Sequence, residues 1–230
     1  MLYTINPGTM SQSLKIQVVS GPKTSGTTQD HELFFARRAL ALLKSRLGSD
    51  GLKKLLEPDI ARADEWWQEK IQASGGQFIP CITTLSATGI SATQFMTWFK
   101  SHVEDLPTML AAHPEHYING HTVLETVGEH VTFVTLKFDE KPSDVVQNLD
   151  REKYSIIIAA SASLQNGNLL GHACHQLRDL EDGAGMEGCF SAWIPAACGE
   201  EVAEMHRKHL AVEWSNWISA AQADLAPAAA

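Results

Sequence analysis

The stretch Gly199-Glu-Glu-Val-Ala-Glu-Met-His-Arg-Lys-His-Leu-Ala-Val-Glu-Trp-Ser-Asn-Trp-Ile-Ser-Ala-Ala221 decides the fold. It reads as one long helix with an apolar side. At about 100° per residue from His209, Val202, Met205, Leu210, Val212, Glu213, Trp214 and Trp217 fall between about −60° and +140°. Glu200, Glu201, Glu204, Arg207 and Lys208 take the other side. Inside the apolar arc, His209-Leu-Ala-Val-Glu213 sets an imidazole and a carboxylate over one surface spot. A carboxylate on a buried face is costly unless it is paired, protonated or bound to a cation. A divalent metal accounts for both residues at once, as in helical zinc motifs. A hydrogen bond along the helix surface is the simpler alternative.

Upstream of this helix the period is two. Thr122 to Val127 and His130 to Phe138 alternate around Gly128, which predicts a hairpin or two consecutive strands. Tyr154 to Ser161 is a further strand, Asn166-Gly-Asn168 a turn into Leu169 through Arg178, and Asp179 to Gly185 a turn into Met186 through Ile194. These turns predict a four- or five-stranded antiparallel sheet, which Pro195 closes. Strands followed by a long helix with an inward face predict an α+β helix-grip (Bet v 1-like) arrangement, a sheet wrapped on its C-terminal helix around a cavity. The region before the sheet is mainly helical. Leu33, Ala36, Leu40, Leu43 and Leu47 keep helical spacing after Asp30, and Asp59 to Ala73 and Ala92 to Glu104 are further helices. The expected organisation is therefore an N-terminal arm over residues 1–28, mobile and with a short edge strand at Leu14 to Val19, one domain over 29–222, and a frayed tail over 223–230.

Composition sets the class. At 230 residues and 44% hydrophobic content the chain can bury a sizeable core. No run approaches the length of a membrane span and no basic-then-apolar leader opens the chain, so a cytoplasmic protein is expected. A net charge of −9 disfavours nucleic acid and anionic membranes as partners. Cys81, Cys174, Cys189 and Cys198 form no paired motif, which fits a reduced setting. Six of the 10 histidines fall in H-x-x-H pairs: His113 and His116, His172 and His175, His206 and His209. This pairing motivates a metal site.

Pro114 forces His113 into an extended conformation, so His113-Pro-Glu-His116-Tyr117-Ile-Asn119 belongs to a loop or strand entry that either reaches the cavity mouth or stays exposed. Strand alternation puts Val123, Glu125 and Val127 on one face, which makes Glu125 an edge-strand charge or a ligand. His172 and His175 point to opposite faces of their strand, so at most one of them enters the cavity. The chain has no G-x-S-x-G elbow, G-x-G-x-x-G loop, P-loop or H-E-x-x-H motif, which leaves serine hydrolases and nucleotide-dependent enzymes poorly supported.

Taken in order, several segments between residues 92 and 222 resemble the diacetylphloroglucinol and phloretin hydrolases, zinc enzymes that hydrolyse a carbon-carbon bond between an acyl group and a phenolic ring. The segments are Thr97-Trp-Phe-Lys-Ser-His, His113-Pro-Glu-His-Tyr, Leu124-Glu-Thr-Val-Gly, His175-Gln-Leu-Arg-Asp-Leu-Glu-Asp-Gly, Phe190-Ser-Ala-Trp and His209-Leu-Ala-Val-Glu. The resemblance implies a zinc ion held by two histidines and two glutamates: His116, His209, Glu213 and Glu125, with Glu129 competing for the fourth place. It implies an active-site histidine at His175 and a polar substrate contact at Asn119. Two substrate-gripping tyrosines of that family are replaced here by Thr108 and Phe190, which points to an altered substrate or reaction. The expected activity is hydrolytic cleavage of an aromatic ketone of acylphloroglucinol, chalcone or polyketide type, as in flavonoid and other secondary metabolism. The alternatives are an isomerase or cyclase of the chalcone isomerase type and a non-catalytic carrier of apolar ligands. Phe95, Trp98, Phe133, Phe190, Trp193 and Trp217 favour a flat apolar ligand, although an ordinary core position is the plainer reading of most of them. A homo-oligomer is compatible with all of these readings.

Overall fold

A computed structural model describes residues 20–21, 25–181 and 183–226. The expected edge strand at Leu14 to Val19 lies outside the described residues, as does the end of the tail. The chain divides into two compact units, Met1–Ala39 and Leu40–Ala230. In the first, the Arg38 guanidinium lies over the rings of Phe34 and Phe35.

Helix α1 runs Thr28–Ser74 and is broken at Gly48, whose φ of 63° and ψ of 177° only a residue without a Cβ adopts readily. The helices expected over Asp30 to Leu47 and Asp59 to Ala73 are both present, but the second begins just after Gly48 and runs through Pro58, earlier than expected. Strand β1 (Phe78–Thr88) follows, then α2 (Ala92–His102), α3 (Leu106–Ala111), β2 (His116–Ile118), β3 (Thr122–Val127), β4 (His130–Asp139), β5 (Ile156–Leu164), β6 (Leu169–Asp179), β7 (Gly185–Pro195) and α4 (Gly199–Leu225). Ser91 caps α2 in a reciprocal box with Gln94, and the Asp179 carboxylate accepts from the Ala92 N–H, tying α2 to β6.

Among the described residues the sheet has seven strands rather than four or five, in the order β1-β7-β6-β5-β4-β3-β2, and every pairing is antiparallel. The five strands expected from Thr122 onward are there, and β1 and β2 are additional. Pro80 lowers the strand signal of β1, but β1 is an edge strand, where proline is tolerated. The opposite ends of the sheet meet the same helix. On β1 the Thr83 hydroxyl donates to the Arg207 carbonyl at 2.8 Å, while on β2 His116 reaches His209. The sheet thus curls around α4, an α+β architecture of helix-grip type.

The inward face of α4 is rotated from the expected arc. Ala203, His206, His209, Leu210, Trp214, Trp217, Ile218 and Ala221 are buried, whereas Met205 and Val212 are 42% and 37% exposed. Measured from His209, the buried arc runs from about 0° to +180° rather than from about −60° to +140°. Trp214 and Trp217 pack against Phe95 and Phe99 of α2. Trp67 of α1, fully buried, closes a second cluster with Val123, Val127, Val134, Leu164 and Leu170, and donates its indole N–H to Thr132 at 2.9 Å. Helix α4 continues to Leu225, beyond the expected start of the tail. Among the described residues no helix is long and apolar enough to cross a membrane.

Candidate metal centre

Strand pairing creates the first half of the site. His116 on β2 lies directly opposite Glu125 on β3, and the register then shifts between His116 and Ile118, a bulge that releases β2 from regular pairing. Because β2 occupies the edge, Glu125 is not an edge-strand charge. Its carboxylate lies 3.4 Å from His116 Nε2 and faces inward. Helix α4 supplies the other half. His209 Nε2 stands 2.9 Å from His116 Nε2 and 3.5 Å from Glu125 Oε2, and Glu213 Oε1 is 3.6 Å from His116 Nε2.

These four separations, of the six within the quartet, are of the size found between ligands of one ion. Four ligands placed tetrahedrally at about 2.0–2.1 Å from zinc stand roughly 3.3 Å from one another. Two imidazole nitrogens and two carboxylate oxygens are a borderline-hard donor set that zinc accepts. The described pairs around His116 and His209 fall at 2.9–3.6 Å.

His113, His116 and His209 also lie close enough together to bind a metal ion, with donor atoms within 4.8 Å of one another. The His113 ring stacks on His209 at 3.9 Å. Its Nδ1, however, accepts the Glu115 N–H at 3.1 Å. An imidazole that accepts at Nδ1 carries its proton on Nε2 when neutral, which makes that nitrogen a donor rather than a ligand. Lys44 donates to the His113 carbonyl and sits over the Tyr117 ring, and burial lowers its ammonium to about 8.

The electrostatics describe a buried site that calls for positive charge. Burial pushes His113 down to about 3, helped by His209 and His116. Burial also takes His116 down to about 4 against the pull of Glu125. Burial works in the same direction on His209, but Glu125 and Glu213 overcome it and raise the imidazole to about 9. Burial alone would raise Glu125, yet His209 and His116 hold it well below the usual carboxylate range. Glu213 goes up through burial, opposed by His209 and reinforced by Glu125.

Glu125 and Glu213 form part of the wall of a cavity of about 200 Å³ between α4 and the sheet. Asn119, His175 and His206 also line it, among apolar side chains such as Val123, Val134, Leu170 and Trp217. His175 points inward against Trp214, with ring centroids 4.7 Å apart, and His172 packs against Phe78; against the expectation from strand alternation, both residues border the cavity. Burial takes His175 to about 3 and His206 to about 4, so both are neutral near pH 7.

The remaining expected positions behave differently. Thr108 lies on α3, where its hydroxyl donates to Asp105 at 2.6 Å, and it is not among the cavity-lining residues. Phe190 is fully buried beneath Trp214, stacked at 4.1 Å, in close contact with Gly188, where a Cβ would come within 2.3 Å of the ring. It is a core residue behind the cavity wall. Phe133 packs outward against Ile60 and Leu124. Glu129 is exposed in the β3–β4 turn, so it does not compete with Glu125. Sequence reasoning left His113 and His206 out of the ligand set and the active-site residues, although both belong to the H-x-x-H pairs that motivate a metal site. Comparison with protein-family models and with curated protein sequences finds no match.

Proposed function

We propose that the protein is a zinc enzyme that cleaves an aromatic ketone by hydrolysis of the bond between its acyl carbon and its ring. The observation that carries this reading is the inward quartet His116, Glu125, His209 and Glu213, whose carboxylates also form the wall of an apolar cavity. Two histidines and two glutamates are the ligand set implied by the resemblance to diacetylphloroglucinol and phloretin hydrolases, and a Bet v 1-like helix-grip sheet is the fold it implies. His113, protonated on Nε2, serves as a donor beside the quartet rather than a member of it. A cavity of about 200 Å³ suits a one-ring acylphenol better than a two-ring chalcone.

Zinc bound there supplies a Lewis acid that polarises a carbonyl oxygen and acidifies water. Asn119 offers its amide to a ligand oxygen at the cavity wall. Neutral His175 accepts the proton of the attacking water as hydroxyl adds to the acyl carbon. When the carbon-carbon bond breaks, its electron pair stays on the ring carbon, and His175 returns the proton there. The products are a carboxylic acid and the deacylated ring. Trp214 and Phe190 hold the His175 ring in place.

A second reading has its own support. Phe190 brings no hydroxyl to the cavity and the Thr108 hydroxyl is engaged by Asp105, so two expected phenol-handling groups are missing. Isomerisation or ring closure, in which no ring carbanion leaves, asks less of such a site. Incubation with acylphenols and chalcones followed by mass spectrometry decides. Hydrolysis adds one water and gives two products, isomerisation leaves the mass unchanged, and a carrier changes nothing. The four free thiols fit a reducing compartment such as the cytosol.

A further inference from the structure

The imidazole of His206 is a polar group in the cavity wall with no assigned task. It belongs to neither the metal-binding quartet nor the proton path through His175. Helix geometry explains its position. Measured from His209, His206 lies at about +60° and Glu213 at about +40°, so the two share the cavity side of α4 about 10 Å apart along its axis. His206 is 7% exposed and lines the cavity together with Leu210, Glu213 and Trp217.

Its hydrogen-bonding state is the second observation. Among the described residues His206 makes no hydrogen bond, and its Nδ1 is sealed from solvent without a partner. His175, facing the same cavity from β6, is in the same state. His172 Nδ1 is a third such atom around this cavity. Buried polar atoms in folded proteins are nearly always satisfied, so unpartnered imidazoles gathered on one small cavity mark groups whose partner arrives from outside the chain. The wall is mostly aliphatic or aromatic, and its polar members Asn119, Glu125, Thr132 and Glu213 hydrogen-bond neither ring.

We propose that His206 is a ligand-binding residue, taking a hydroxyl of a one-ring phenol held between α4 and the sheet. A neutral imidazole has one donor and one acceptor, and a hydroxyl group is likewise both, so either tautomer of His206 pairs with it. The apolar wall takes the ring face. In this chain the task falls to α4, because Phe190 and Thr108 offer the cavity no hydroxyl of their own. The inference deepens the proposed function and rests on it for the ligand class, but it concerns binding and requires no turnover.

The test compares phenol with toluene, which matches it in shape and lacks the hydroxyl, by calorimetric titration of the zinc-loaded protein. The natural chain is expected to prefer phenol by at least about tenfold. His206→Leu should lose that preference, His206→Gln should keep most of it, and both should retain zinc in natural stoichiometry. Titrating histidine-labelled natural protein with phenol should also shift the ring nitrogen resonances of His206, while toluene leaves them in place. This second reading stands even if a variant does not fold. An unchanged phenol preference in His206→Leu, still ring resonances, or natural protein that binds neither probe overturns the proposal. Intact phenol recognition through His206 in a protein that transforms no acylphenol instead refutes the hydrolase reading and leaves this one standing.

Discussion

His116 and His209, 93 residues apart in the chain, bring their Nε2 atoms to 2.9 Å from each other. Two such nitrogens cannot both present lone pairs at this distance without a proton or a metal ion between them. The curl of the sheet produces the encounter, since β2 and α4 meet only when the edge opposite β1 closes onto the helix. Glu125 and Glu213 then surround the point of contact with negative charge.

Glu213→Gln separates the two ways of meeting that charge. Without metal, burial beside Glu125 already favours the uncharged form of Glu213, so glutamine should change the melting temperature by no more than ~2–4 °C, equivalent to about 1 kcal/mol. With zinc present, the natural chain should gain stability that the variant does not. Thermal melts with and without zinc check this, and an equal zinc-dependent gain in both proteins contradicts it.

His175→Ala should keep its zinc and slow turnover by about 10²-fold or more, the usual effect of losing a proton-transfer group. Metal content and kcat measured on the same preparation provide the check. Unchanged turnover would remove His175 from the reaction.

Trp67 anchors α1 to the sheet. Trp67→Ala should cost ~3–5 kcal/mol, as expected for emptying a fully buried indole site, and it frees the Thr132 hydroxyl from its donor. Trp67→Phe should cost less, because most of the apolar contact remains. Denaturant unfolding of the two variants measures the difference.

Acid stability turns on a cluster outside the cavity. Glu187 is held near 2 by hydrogen bonds from Lys153 and Tyr154, with Arg178 adding to them. Its ordinary value is 4.5, so the contribution is fully present above pH 4.5 and is lost as the pH falls toward 2. Glu187→Gln should therefore be less stable than the natural chain at pH 7, with the gap narrowing below pH 4.5. Urea unfolding across this range checks it; a constant gap would assign Glu187 no titrating role.

Much of this architecture is legible in the sequence because two periods dominate it. The five strands from Thr122 onward and the helix from Gly199 were readable from alternation and helical spacing. The inward placement of Glu213 followed from the same count. Strand β1 was hidden because Pro80 breaks the pattern of a strand that tolerates it only at an edge. The rotation of α4 was hidden because Met205 and Val212 are apolar but exposed, whereas His206 is polar but buried; hydrophobicity alone centres the arc away from its true middle. Edge or interior was undecidable for Glu125 until β2, only three residues long, covered its strand. The role of His113 depends on one hydrogen bond to a neighbouring N–H, which residue spacing cannot reveal.

The metal content of protein purified without chelator tests the central claim most directly. Elemental analysis should find about one zinc per chain, and both His209→Ala and Glu213→Ala should lose it. Protein that is free of zinc as purified and stays so after dialysis against zinc, or full zinc in both variants, would contradict the account.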